Sequence, residues 1–328
     1  MIEICQFGAG RIGKIHAGNV AVHPGARLRY VVDVDRQAAE DLATAHGAKV
    51  VDAKAALADP AVDAVIVASS TDTHAELVEA SARAGKAIFC EKPIDLDLGR
   101  VDRCLEVVRE HGALMVVGFN RRFDPSFVAL HAALGRGAIG RLELLTITSR
   151  DPEPPPLDYV RASGGLYRDM MIHDFDMARW LLGAEPVQVY AAGACLVDPA
   201  IGEVGDVDTA VVVLRTGDGA FCQISNSRRA VYGYDQRVEA FGAEGMLQAG
   251  NRTPTTVETW SADGVVRDKP LYFFLERYAE AYRAELDHFL ACLAQGITPV
   301  VGPEDGRMAM VLAEAAETSA RTGRPVAL

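Results

Sequence analysis

The sequence predicts an α/β domain with a parallel, doubly wound sheet over residues 1–119, followed by an α+β domain over residues 120–328 built on a large, mostly antiparallel open sheet. Three observations predict it. A glycine loop stands between a short apolar strand and a helix near the start of the chain. Strand-like and helix-like segments then alternate as far as Phe119. Beyond that point, β-rich stretches separated by turn signals replace the alternation.

The first strand is "IEICQF", and it runs into Gly8, Ala9, Gly10, Arg11, Ile12 and Gly13. A G-x-G-x-x-G string alone is a weak signal. Here it follows a strand, opens the helix-like "KIHAGNVAVH", and leads to a second strand, "RLRYVVDVD". Each glycine has a physical task. The first makes a tight turn, the second lets backbone approach a pyrophosphate, and the third lets helix and strand pack closely. The helix N-terminus then offers free N–H groups to the anion. Asp33 lies twenty residues past Gly13, where a dinucleotide-binding (Rossmann) domain wants a carboxylate for the ribose hydroxyls. A carboxylate there repels a 2′-phosphate, so NAD is expected over NADP. Asp35 is a second candidate for that role, and Arg36 is the residue that could hold the phosphate instead.

The alternation continues. "VDAVIVASS" (62–70) reads as a buried strand, and the helix beginning in "TDTHAELVEASARAG" has Thr73 and Glu76 at capping-box spacing. "KAIFCEKP" (86–93) is the next strand, "LGRVDRCLEVVREHG" a helix, and "ALMVVGF" (113–119) a further strand. Ligands of such sheets sit at the C-terminal strand ends. That places Thr71, His74, Glu91, Lys92 and Pro93 along a cofactor cleft.

In the second half, "NRRFDPSFVALHAALGRGAIG" reads as a turn and a helix, "RLELLTITSR" as a strand, and the Pro-rich "DPEPPPLDYVRASGG" as a loop. The stretch "GGLYRDMMIHDFDMARWLLG" (164–183) reads as one helix. Asp169, His173 and Asp176 are spaced four and three apart, which puts them on one helical face. Three readings fit such a stripe: metal ligands, a proton relay, or a solvated face. Asp174 falls off the stripe and is expected in a solvent or loop contact. Five β-rich stretches follow, from "PVQVYAAGACLV" to "PTTVETW", and two helices close the chain. The weak alternation of "DTAVVVLRT" suggests a sheet buried on both faces, hence self-association through it.

A net charge of −12 argues against nucleic acid or an anionic membrane surface as partner. No run reaches the length of a membrane span, and no leader is read at the start, so a cytoplasmic location is expected. The six cysteines form no C-x-x-C pair and are expected to be reduced.

The glycine loop, "EKP" at 91–93, and Asp169 with His173 resemble the glucose–fructose oxidoreductase and inositol dehydrogenase family, and the resemblance spans the whole chain. The strings "GFNRRFDPSF", "RDMMIHDFDMARW", "GDVDTAVVVLR" and "NSRRAVYGYDQRVEAFG" carry it more specifically than the loop does. It implies NAD-dependent oxidation of the axial hydroxyl of myo-inositol to the 2-keto inosose, and a homotetramer built through the C-terminal sheet. It implies Lys92, Asp169 and His173 as the catalytic set. Lys92, Asp169, His173, Asp176 and Tyr232 are the implied substrate contacts, with Arg121 and Arg122 lining the same cleft. No metal is implied.

The chemistry suits these residue types. Alcohol oxidation moves a hydride, which no side chain accepts, and a proton, which an imidazole can take near neutrality. An acid beside the imidazole can orient it, and a lysine can steady a developing alkoxide. Two further readings remain open from sequence: a dehydrogenase for another inositol isomer or a sugar such as glucose, and a non-enzymatic NAD-bound sensor.

Overall fold

A computed structural model describes all residues 1–328. The chain forms two units, Met1–Phe123 with Ala281–Met310, and Asp124–Glu280 with Val311–Leu328. The chain passes from the first unit to the second after Phe123 and returns to the first over Ala281–Met310. Nothing in the sequence signals the return of Ala281–Met310 to the first unit.

The first unit opens with β1 (Ile2–Phe7), α1 (Arg11–Val22), β2 (Ala26–Val32), α2 (Arg36–His46), β3 (Lys49–Val50), α3 (Ala53–Ala58) and β4 (Ala64–Val67). A 3₁₀ turn over Thr71–Thr73 leads to α4 (His74–Arg83), β5 (Ala87–Glu91), α5 (Leu98–Glu110) and β6 (Met115–Gly118). The strands pair in the order β3-β2-β1-β4-β5-β6, all parallel. The order reverses between β1 and β4, which opens the crevice where such sheets bind ligands. Val67, Ile66 and Phe89 have no exposed surface, as expected for strands covered on both faces.

The second unit contains α6 (Pro125–Gly135), β7 (Leu142–Arg150), α7 (Leu157–Ser163), α8 (Gly165–Asp169), α9 (Ile172–Leu182), β8 (Pro186–Ala194) and α10 (Pro199–Glu203). Then come β9 (Thr209–Thr216), β10 (Phe221–Ser227), β11 (Asp235–Gly242), β12 (Gly245–Ala249), β13 (Glu258–Ser261), β14 (Gly264–Arg267) and α11 (Phe274–Arg277). Seven strands form one sheet in the order β12-β11-β7-β10-β9-β8-β15, where β15 is Val326–Ala327. Only β10 and β7 run parallel, so the sheet is mostly antiparallel as expected. β13 and β14 stand apart as a separate hairpin, which corrects the expectation that "PTTVETW" joins the broad sheet.

The last helices are α12 (Ala279–Gln295) and α13 (Pro303–Thr322). Leu286, Phe289 and Leu290 of α12 complete the core of the first unit alongside Ile4, Ile66 and Phe89. Phe289 has no exposed surface, and burying such a ring is worth about 1.5–3 kcal/mol. No helix is long and apolar enough to cross a membrane.

Two local expectations are corrected. Thr73 and Glu76 do not close a capping box, because the Thr73 hydroxyl donates to the Ser70 carbonyl at 2.7 Å and no side chain caps α4. Residues 164–183 are not one helix. α8 ends at Asp169 and α9 begins at Ile172. Met170 and Met171 keep right-handed helical dihedrals, but the Met171 N–H reaches back five residues to the Leu166 carbonyl at 2.9 Å. That wide turn breaks the α-helical ladder and shifts the phase of everything after it. Asp169 and His173 therefore flank a break instead of lying one regular turn apart.

Candidate functional site

The glycine loop is built as its spacing demands. Gly8 has φ +101°, and a Cβ there would lie 2.3 Å from the Ala68 carbonyl oxygen. A Cβ at Gly13 would lie 2.2 Å from the Gly8 carbonyl oxygen, so α1 rests directly on the loop. Gly10 differs: a Cβ there would meet nothing within 4 Å. The fold does not need that glycine for packing, but a ligand lying on the loop would. Gln6, buried inside β1, fixes the loop by donating to the Gly8 and Gly13 carbonyls at 2.8 Å each. Sequence reasoning missed Gln6; the available signal was an amide inside an otherwise apolar strand.

Asp33 follows the end of β2. Its Oδ2 accepts from the Ala9 N–H at 2.6 Å and its Oδ1 from the Asp35 N–H at 2.8 Å. These bonds hold the carboxylate beside the loop in one orientation and leave lone pairs for a diol. Asp35 is spent as the N-cap of α2, accepting from Ala38, and Arg36 pairs with Glu40 at 2.7 Å. The open cradle at Gly10 and the held carboxylate fit a dinucleotide with free ribose hydroxyls.

Thr71 opens the 3₁₀ turn that follows the end of β4. His74 is 2% exposed, and its ring nitrogens face the Pro93 carbonyl at 2.8 Å and the Ser69 carbonyl at 3.1 Å. It ties the segment carrying Thr71 to the one following Lys92. Glu91 ends β5 and turns inward, with Oε1 2.7 Å from His16 Nε2. Lys92 comes next, half-buried. Arg121 is 4% exposed in the 3₁₀ turn Asn120–Phe123. Arg122 is committed to Asp305 at 2.8 Å and to the Val300 carbonyl at 3.0 Å.

In the second unit, Asp169 and His173 are half-buried on the two sides of the helix break. Tyr159 of α7 donates its hydroxyl to Asp169 Oδ1 at 2.9 Å. Arg228, 1% exposed, brings Nη2 to 3.6 Å from Asp169 Oδ2 and 3.9 Å from Asp206 Oδ2. Asp206 also accepts from the Leu166 N–H at 3.0 Å, at the start of α8. Burial of the hydroxyl and the adjacent Asp169 charge both push the Tyr159 pKa up, so it stays a donor. The outcome is a carboxylate held by a phenol and a buried guanidinium. Neither Tyr159 nor Arg228 was singled out from sequence, since both reach Asp169 from other elements.

Asp176 is fully buried in α9. Asp174 is fully buried too and accepts from Asn226 Nδ2 at 2.9 Å, which corrects the expected solvent or loop contact. Tyr232 donates to Asp235 Oδ2 at 2.7 Å and accepts from Arg150 Nη1 at 3.0 Å. Burial opposes ionisation of Asp235, but hydrogen bonds from Arg237, Tyr232 and Asn251 outweigh it and hold its pKa below the usual range. Tyr232 is thereby fixed by a carboxylate that remains charged.

The parallel sheet, the open glycine loop and the held carboxylate of Asp33 define a dinucleotide-binding unit. Residues 2–119 match the model of an oxidoreductase family with an NAD-binding Rossmann fold, and residues 127–248 match that of the GFO/IDH/MocA C-terminal domain. The chain belongs to the GFO/IDH/MocA family of oxidoreductases, and its cofactor is NAD. It is 51% identical to an inositol 2-dehydrogenase of Rhizobium meliloti over 98% of each chain. It is 49% identical to a myo-inositol 2-dehydrogenase of Thermotoga maritima over 100% of this chain and 98% of that one. Among solved structures, a myo-inositol dehydrogenase from Corynebacterium glutamicum superposes with a TM-score of 0.96 at 44% identity, covering 100% of this chain and 99% of that one. The scyllo-inositol dehydrogenase of Lactobacillus casei, solved with NAD(H) and scyllo-inositol, gives 0.93 at 29% identity, with the same coverage.

Proposed function

We propose that the protein oxidises a secondary hydroxyl of inositol with NAD, converting myo-inositol to 2-keto-myo-inositol. The observation that carries the reading is the likeness to inositol dehydrogenases along essentially the full length of both chains. NAD, when bound, would supply the hydride acceptor. The chain's own residues handle the proton and the charge. His173 takes the hydroxyl proton, and Asp169, held by Tyr159 and Arg228, orients the imidazole and balances its positive charge. Lys92 places a cation beside the substrate oxygen as negative charge develops there. Gly8, Ala9, Gly10, Arg11, Ile12, Gly13, Asp33 and Thr71 bind the cofactor, with His74 and Glu91 supporting the segments around Lys92. Arg121, Asp176 and Tyr232 complete the substrate set.

The test is NADH formation with myo-, scyllo- and chiro-inositol and with glucose, each with NAD and NADP. Turnover with myo-inositol and NAD well above the others is expected. Turnover with glucose alone would assign a sugar dehydrogenase, and NAD binding without turnover of any polyol would assign a sensor.

The same reading includes a cytoplasmic homotetramer. All six cysteines are free, as in a reducing compartment. The strand register places Met246, Phe241, Leu144 and Phe221 in one row across β12, β11, β7 and β10. They are 38–52% exposed in the single chain. An apolar row of this kind on an open sheet is what a second copy would cover.

A further inference from the structure

Three acid–base side chains meet inside the first unit. His16 comes from α1, Glu91 from the end of β5, and Glu285 from α12. Their exposures are 0%, 8% and 0%. One ligand-type atom of each lies within 4.8 Å of the other two. His16 Nε2 and Glu91 Oε1 are hydrogen-bonded at 2.7 Å. Gly118 of β6 leaves room for Glu91: a Cβ there would sit 2.9 Å from Glu91 Oε2. No donor reaches either oxygen of Glu285.

A metal ion and a proton are the two species that could reconcile two carboxyl groups here. Two ligands at about 2.0–2.1 Å from one tetrahedral ion lie about 3.4 Å apart. The 2.7 Å contact is too short for that and is the length of a charge-assisted hydrogen bond. A second anion in a dry pocket beside Glu91 is strongly disfavoured. Burial, and then the charge of Glu91, push the Glu285 pKa well above the usual carboxylate range.

We propose that Glu285 is a positioning residue for Lys92: as a neutral carboxylic acid it keeps its proton and directs the O–H as a hydrogen-bond donor to Glu91, and with His16 it clamps the end of β5 immediately before the lysine. A carboxylate only accepts, so His16 Nε2–H donates to one side of Glu91 and the Glu285 O–H to the other. The proposal rests on the role given to Lys92 in the proposed function. The other titratable groups at this pocket are Tyr282, whose ring meets His16 edge-on at 5.9 Å, and the thiol of Cys90, which burial drives to a high pKa.

The test compares the full-length wild type with Glu285→Gln and Glu285→Leu. Glutamine keeps a donor and cannot ionise; leucine keeps volume and offers no donor. Glu285→Gln is expected to keep kcat within about twofold, whereas Glu285→Leu is expected to lose about tenfold or more, the scale of a hydrogen bond to a charged group. Protonation has its own readout. A native pKa raised above the unfolded value of about 4.3 gives stability that is complete below that value and is lost as pH rises toward the native pKa. The Tm of wild type must therefore fall relative to Glu285→Gln as pH rises. Wild-type kcat in Glu285→Leu overturns the positioning role, and parallel Tm–pH curves for wild type and Glu285→Gln overturn the protonated acid. A stoichiometric divalent metal in wild type that Glu285→Gln lacks also overturns it. Retained activity in Lys92→Met instead removes the lysine's role and leaves the Tm comparison standing on its own.

Discussion

Arg228 and Asp169 meet 3.6 Å apart with the arginine almost wholly out of water, while Tyr159 holds the other carboxylate oxygen. Removing the guanidinium takes the same cation from both Asp169 and Asp206. Arg228→Met is expected to destabilise the protein by on the order of 3 kcal/mol, as breaking a buried ion pair does. Tyr159→Phe should be milder in stability and cost about tenfold in kcat, the scale of one hydrogen bond to a charged acceptor. Thermal unfolding and steady-state kinetics on both variants check this, and unchanged kcat in Tyr159→Phe rules out the supported-acid model.

His173→Ala should lower kcat and kcat/KM together by about 10²–10⁴-fold, because an interaction of the transition state is lost. NAD affinity and Tm should stay near wild type. Lys92→Met should act on the same step, and the double variant should lose less than the sum of the singles. Additive losses in this cycle would show that the two groups serve separate steps.

Asp33→Ser removes the acceptor that holds both the Ala9 and Asp35 N–H groups. The NAD preference, measured as the ratio of kcat/KM values for NAD and NADP, should drop by about 10-fold or more. A wild type that turns over both cofactors equally would refute this role of Asp33.

The glycines at 10 and 13 separate binding from folding. Gly13→Ala drives a methyl onto the Gly8 carbonyl and should cost about 1–3 kcal/mol of stability. Gly10→Ala meets no protein atom, so Tm of the cofactor-free protein should barely move while NAD binding weakens. Calorimetric titration with NAD and unfolding without it give the two readouts. Equal NAD affinity in Gly10→Ala and wild type sinks the assignment of that cradle.

Phe241 sits mid-row on the open sheet, paired with Met246 on one side and Leu144 on the other. Phe241→Asp should dissociate the proposed tetramer, because a carboxylate pressed into an apolar interface is left unpaired. Sedimentation velocity of wild type and variant decides it; a wild-type monomer at micromolar concentration excludes the assembly.

The first unit was legible because its signals are local: strand, glycine loop, helix and acid all fall within the first 33 residues. Asp169 and His173 were legible as residue types, but their shared regular face was not real. The wide turn at Met171 depends on backbone bonds that periodicity does not record. What supports the site was illegible for a different reason. Arg228 reaches Asp169, and Glu285 reaches His16 and Glu91, only after distant elements have packed. A buried charge in the sequence looks like any other charge until its partner is known. Gln6 was the exception, a polar residue within a short apolar strand that could have been questioned.

The place of α12 bears on how the molecule is made. A ribosome delivers the six parallel strands long before it delivers Leu286, Phe289 and Leu290, which close the core against Phe89. During that interval the nascent NAD-binding part exposes an apolar gap, while residues 124–280 pass through the exit tunnel. The two units therefore cannot mature one after the other like beads on a string. The first to be synthesised must wait for the end of the chain, and cutting the gene after residue 123 should yield a fragment that chaperones hold and proteases clear.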